Sequence, residues 1–120
     1  MWTVEYTDEF GEWWDSLDEA VQESIAHDVE VLSQIGPGLG RPTVDTVKNS
    51  AYANMKELRT QHKGQPYRTL FAFDPRRSAI LLIGGNKGGD RRFYERYVPV
   101  ADRLYAEHLS QLRREGLIDG

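Results

Sequence analysis

The spacing of apolar positions changes along the chain, and each change predicts a new element. Trp2-Thr3-Val4-Glu5-Tyr6 alternates large and polar residues, the pattern of a strand with one buried face. Thr7 is placed to cap a helix, with Asp8 and Glu9 stabilising its N-terminal dipole. Phe10, Trp13, Trp14 and Leu17 then fall at i, i+3, i+4 and i+7, one apolar stripe. Ser16 and Glu19 have capping-box spacing and predict the start of a second helix, striped by Val21, Ile25, Val29, Leu32 and Ile35. So short a connection makes the two helices an antiparallel pair. The run Gly36-Pro37-Gly38-Leu39-Gly40-Arg41-Pro42 ends the second.

Residues 43–53 show no period and read as a linker. Met55 to Arg59 predicts a strand, followed by a turn through Lys63-Gly64-Gln65-Pro66 and a strongly strand-forming run from Tyr67 to Phe73. Asp74-Pro75-Arg76-Arg77 is a turn, and Ser78 to Ile83 is apolar on both faces, as in a central strand. Gly84 to Gly89 is expected to break the sheet, and Arg91 to Tyr97 to form a short helix. Pro99 fits the first position of a last helix, with Ala101, Leu104, Tyr105, His108 and Leu112 on one face. The order β-α-α-β-β-β-α predicts the α+β class: a small, antiparallel-rich sheet packed on an N-terminal helical hairpin, with an additional C-terminal helix. Its length of 120 residues suits a single domain spanning 1–120.

Composition narrows the function classes. Three Trp, six Tyr and four Phe can fill one core, and zero cysteines remove disulfides, thiolate metal sites and cysteine nucleophiles together. No apolar run approaches the roughly 18–20 residues of a spanning helix, and the acidic start is unlike a signal peptide, so a cytoplasmic protein without membrane contact is expected. The net charge of −4 conceals an asymmetry. Residues 1–35 hold ten acids and no Lys or Arg, which leaves +6 for residues 36–120; within 41–97, twelve bases face five acids. An acidic helical layer and a basic sheet layer would steer polyanions to one face. The alternative is a mixed surface in which acidic helices pair with basic neighbours.

The chemistry follows by exclusion and convergence. His27, His62 and His108 form no metal-binding spacing with Glu, and no serine stands in a nucleophile elbow. Gly84-Gly85-Asn86-Lys87-Gly88-Gly89 lacks the spacing of a phosphate loop. In the strand containing Tyr67, period two puts Tyr67, Thr69, Phe71 and Phe73 on the face expected to meet the helical hairpin, and Arg68 on the opposite, open face. Arg59 ends the preceding strand and Lys87 leaves the following one. Neighbouring strands lie about 5 Å apart, so these three cations are expected to line one concave surface, with Arg91, Arg92 and Tyr94 at its rim. Lys56 and Arg76 are further candidates for RNA contact. Guanidinium groups bind phosphate bidentately and Tyr stacks on unpaired bases. The same cations would stabilise the phosphorane formed when a 2′-hydroxyl attacks its own phosphodiester. Proton transfer would fall to Tyr94, His62 or Lys87.

Met55-Lys56-Glu57-Leu58-Arg59, then Pro66-Tyr67-Arg68-Thr69-Leu70-Phe71-Ala72-Phe73-Asp74-Pro75, then Leu81-Leu82-Ile83-Gly84-Gly85-Asn86-Lys87 resemble the RelE/ParE superfamily, and more narrowly its HigB-like, phage-derived toxin branch. The stretch from Pro99 to His108 is similar to that branch as well, so the resemblance covers essentially the whole chain. It implies the toxin of a type II toxin–antitoxin pair, a ribosome-dependent mRNA endonuclease needing no metal or organic cofactor. It also implies a cognate helix-turn-helix antitoxin as partner, with DNA reached only through that antitoxin. By position Arg68 corresponds to the phosphate-stabilising arginine, Arg59 to a basic residue of the preceding strand, and Tyr94 to the following tyrosine. Lys87 stands where an arginine is usual, which loses bidentate geometry. Met55 and Glu57 replace lysines of RelE, so its lysine base is missing. Some superfamily members inhibit DNA gyrase and cleave nothing, which is the alternative reading.

Overall fold

The computed structural model describes residues 1–120. It contains strands β1 (Val4–Tyr6), β2 (Val44–Thr46), β3 (Lys56–His62), β4 (Gln65–Phe73) and β5 (Ala79–Asn86), and helices α1 (Asp8–Asp15), α2 (Glu19–Ile35) and α3 (Phe93–Arg114). The sheet order is β1-β5-β4-β3-β2, antiparallel throughout except for the parallel β1–β5 pair. The expected α+β arrangement is therefore present, with helices on both faces.

Period two on β4 sets the two cores. Phe71 joins Phe10, Leu32, Val44, Leu58, Ala79 and Leu81 under the α1–α2 hairpin, as its aromatic face predicts. The opposite face is not open along its length. Leu70, Ala72, Ile80 and Leu82 pack beneath Val98, Ala101, Leu104 and Tyr105 of α3. A bulge in β5 opposite Leu70 and Phe71 leaves Leu82 outside the paired register, and Leu82 and Ile83 both join the α3-side core.

Thr7 caps α1 by accepting from the Phe10 amide at 3.0 Å. The α2 cap is Asp18, which accepts from the Val21 amide at 2.9 Å, rather than Ser16. Ser16 instead donates back to the Trp13 carbonyl at 2.5 Å and closes α1. The predicted linker 43–53 holds β2, a three-residue edge strand that exists because β3 offers it a partner. Lys63 and Gly64, at φ 49° and 78°, form the two-residue hairpin turn between β3 and β4.

Two further expectations are corrected. Gly84 and Gly85 do not break the sheet but lie inside β5. They face opposite layers: a Cβ on Gly84 would stand 2.2 Å from the Trp13 ring, and one on Gly85 would stand 2.9 Å from both Phe93 and Tyr97. Each glycine thus lets one helical layer approach the sheet. The short helix and the last helix are one, with Pro99 inside it. Pro99 is exposed, so the carbonyl freed by its missing N–H is accessible to water, while Val98, Ala101 and Leu104 hold the helix on the sheet.

Candidate functional site

Arg59 of β3 and Arg68 of β4 are directly paired across the ladder, and Arg68 pairs on its other side with Gly85 of β5. Two guanidiniums in such positions repel. The chain answers with Glu57, two residues before Arg59 on the same face, whose side chain is only 5% exposed. Arg59 donates to Glu57 Oε2 through Nη2 at 3.1 Å and Nε at 3.3 Å, and to Asp45 of β2 at 3.2 Å. Arg68 Nε stands 3.6 Å from Glu57 Oε1, an ion pair too long for a hydrogen bond. That nitrogen is buried and has no hydrogen-bond partner, while Nη1 donates to the Tyr67 carbonyl at 3.1 Å.

The first turn of α3 completes the group. Tyr94 donates its hydroxyl to Glu57 Oε1 at 2.6 Å. Burial pushes the Tyr94 phenol above its ordinary value, and the bond to the Glu57 carboxylate adds to this, with Arg68 opposing. Tyr94 is therefore held protonated, as a donor. Lys87 follows β5 and lies 5.7 Å from the centre of the Tyr94 ring, in cation–π range.

Arg59, Arg68 and Tyr94 thus converge, but on a carboxylate rather than around an open hollow, and Lys87 reaches the group only at the Tyr94 ring. The sequence marks Glu57 only as standing where a lysine is expected; its i, i+2 spacing from Arg59 on a strand was the available signal. The other candidates lie elsewhere. His62 sits on the hairpin face, where Nδ1 shares a hydrogen bond with Ser24 Oγ of α2 at 2.7 Å. Lys56, paired opposite Phe71, is on that face too and donates to Thr46 Oγ1 at 2.8 Å. Arg76 lies eight residues after Arg68, in the turn beyond the end of β4. There it is bound by Asp74 at 2.8 Å and Glu5 at 2.9 Å. Arg91 and Arg92 are exposed in the turn before α3, with Arg92 within 4.0 Å of Glu95. No three His, Cys, Asp or Glu side chains are grouped to hold a metal ion. No helix is long and apolar enough to cross a membrane.

This architecture is similar to that of solved toxins. Against the isolated E. coli RelE toxin the TM-score is 0.52 at 11% identity, over 79% of this chain and 94% of that one. Against the RelE–RelB complex of Pyrococcus horikoshii OT3 it is 0.54 at 12% identity, over 73% and 97%. The sheet and its flanking helices therefore define a RelE-like α+β fold.

Within that fold the sequence is more specific. The family described as phage-derived protein Gp49-like matches residues 12–106. Two relatives from Mycobacterium tuberculosis carry the names putative toxin HigB2 and putative toxin HigB3. HigB2 is 44% identical over 112 residues, 92% of this chain and 55% of its own length. HigB3 is 46% identical over 102 residues, 80% of this chain and 88% of its own length. The chain belongs to the phage-derived Gp49-like family and is HigB-like in sequence. It spans about half the length of the HigB2 relative.

Proposed function

We propose that this chain is the toxin of a type II toxin–antitoxin pair and cleaves ribosome-bound mRNA. The observation that carries this reading is the convergence of Arg59 and Arg68, from neighbouring strands, and Tyr94, from α3, on the buried Glu57 carboxylate, with Lys87 against the Tyr94 ring. A phosphodiester entering there replaces one anion with another, so the guanidinium pair needs little rearrangement to receive it.

In the proposed reaction the 2′-hydroxyl attacks the adjacent phosphorus, and its proton passes to Glu57. Arg59 and Arg68, with Lys87 beside Tyr94, stabilise the charge on the phosphorane oxygens. The bond from phosphorus to the 5′-oxygen then breaks, and Tyr94 gives that oxygen its proton. Tyr94 is the candidate acid by position, since its hydroxyl already donates into the site. The products are a 2′,3′-cyclic phosphate and a free 5′-hydroxyl. Arg91 and Arg92 would contact flanking phosphates. A helix-turn-helix antitoxin would neutralise the toxin in the cytoplasm, and DNA would be reached only through it.

The test is a translation extract programmed with a defined mRNA. Ribosome-dependent cleavage leaving cyclic phosphate ends is expected, and Arg68→Ala should lower it by about a hundredfold with the fold retained by circular dichroism. Intact mRNA together with inhibition of gyrase supercoiling would overturn the reading in favour of the non-catalytic alternative. Full cleavage by the Arg68→Ala protein would remove Arg68 from the site.

A further inference from the structure

A cleft of about 660 Å³ opens between α1 and α2, floored by Leu81 of β5 and bounded by Tyr6, Trp14 and Val29. It lies on the hairpin face of the sheet, opposite the Glu57 group. Tyr6 is 65% exposed there, an unusual state for a large aromatic side chain lining a concavity. Asp15 and Glu30 stand at the cleft with no cation near them. They belong to a wider pattern. Every lining residue except Leu81 comes from residues 1–35, the segment with ten acids and no Lys or Arg. Of those ten acids only Glu5 is ion-paired, to Arg76; the other nine find no cation within the chain. The helical layer is therefore not neutralised by the basic sheet, and its field is directed outward around an apolar cleft.

We propose that this cleft is a docking surface for a cationic, amphipathic segment of a partner protein, with apolar side chains in the cleft and Lys or Arg against Asp15 and Glu30. Charge complementarity selects this occupant: an acidic or neutral segment would leave the unpaired carboxylates facing no cation, and a nucleic acid would be repelled. The inference rests on the toxin reading only in making the partner the antitoxin. Its position predicts a partner that binds without touching the Glu57 group.

The experiment uses the full chain and, as probe, a short fluorescein-labelled peptide of Leu and Lys patterned as an amphipathic helix, followed by fluorescence anisotropy. Binding is expected, with loss when the Leu residues are replaced by Ser. The double variant Asp15→Lys/Glu30→Lys should weaken binding by about tenfold. Glu12→Lys/Glu23→Lys makes the same change in net charge at exposed acids outside the cleft and should shift it by less than about twofold. Ala26→Trp, which fills the cleft from an exposed helical position, should weaken binding with the charges intact. Equal weakening by both charge variants, or no effect of Ala26→Trp, would overturn the proposal in favour of diffuse attraction. Self-association of the chain in sedimentation, abolished by Asp15→Lys/Glu30→Lys, would overturn it in favour of a second copy as occupant. The assay contains neither RNA nor ribosomes, so docking and cleavage can each fail alone.

Discussion

Replacing Glu57 with Gln separates its two roles, counter-ion and base. The amide keeps the side chain's volume and an acceptor for the Tyr94 hydroxyl, but removes the only carboxylate that faces both guanidiniums. Breaking a buried ion pair by deleting one charge costs about 3–5 kcal/mol. Here the cost is smaller, because Arg59 is about one-third exposed and keeps Asp45 at 3.2 Å; Arg68, at 11% exposure, bears most of it. A loss of about 2–3 kcal/mol follows, which at a urea dependence of about 2 kcal/mol per molar lowers the unfolding midpoint by about 1–1.5 M.

The functional readouts move in opposite directions. With the internal anion gone, Arg59 and Arg68 are free for phosphate, so affinity for a non-cleavable 2′-deoxy substrate analogue should rise several-fold. Loss of the proton acceptor should lower single-turnover cleavage by about 10²–10⁴-fold. Urea melts fix the folded fraction under the assay conditions, so instability cannot be mistaken for lost chemistry. Cleavage within threefold of the parent protein, alongside tighter binding, would refute the base role and leave Glu57 as a counter-ion alone. Unchanged stability and unchanged affinity would refute the electrostatic account as well.

Three other outcomes are expected. Asp74 is fully buried and bound by Arg76 at 2.8 Å and His108 at 2.9 Å; burial opposes its ionisation, yet these bonds hold its carboxyl below the ordinary value. A depressed carboxylate stabilises the fold above about pH 4 and loses that contribution as pH falls through its folded value. Asp74→Asn should therefore cost about 3 kcal/mol at neutral pH, with the gap in urea melts closing toward pH 2; a gap independent of pH would refute this. Gly84→Ala would drive a methyl to 2.2 Å from the Trp13 ring, and should cost about 2–3 kcal/mol in thermal or urea unfolding; a neutral result would mean the hairpin yields freely. His62→Ala should leave mRNA cleavage within about twofold, since the ring bonds Ser24 on the other face of the sheet; a tenfold loss would return His62 to the site.

The elements legible in the sequence are those whose period decides their burial. Phe10, Trp13 and Trp14 on α1 and the alternation of β4 led directly to the observed hairpin-side core. The same alternation put Arg68 on the face away from the hairpin, which is where it lies. What the pattern did not carry was pairing and contact. Val44-Asp45-Thr46 has too few residues to show a period, and becomes a strand only because β3 is beside it. His62 falls at a strand's end, and its face follows from the hairpin register, which a turn placed one residue differently would invert. Pro99 reads as a helix start because the cost of an interior proline is local, while the compensating packing of Val98 and Ala101 is tertiary.

Gly84-Gly85 is the most instructive of these differences, because the dipeptide that looks like a break is what assembles the site. Gly85 pairs with Arg68 and lies under the Phe93 and Tyr97 rings, which stack on each other 4.3 Å apart at the start of α3. Any Cβ at Gly85 would meet both rings at 2.9 Å and lift that end of the helix from the sheet. Tyr94 lies between them in sequence, so its hydroxyl would leave Glu57, to which it is now bonded at 2.6 Å. The residue chemistry of the site was therefore written in the charged and aromatic positions, but its geometry depends on a position with no side chain. A period count assigns glycine to turns, and only the two helices packed on either face of β5 give the pair its meaning.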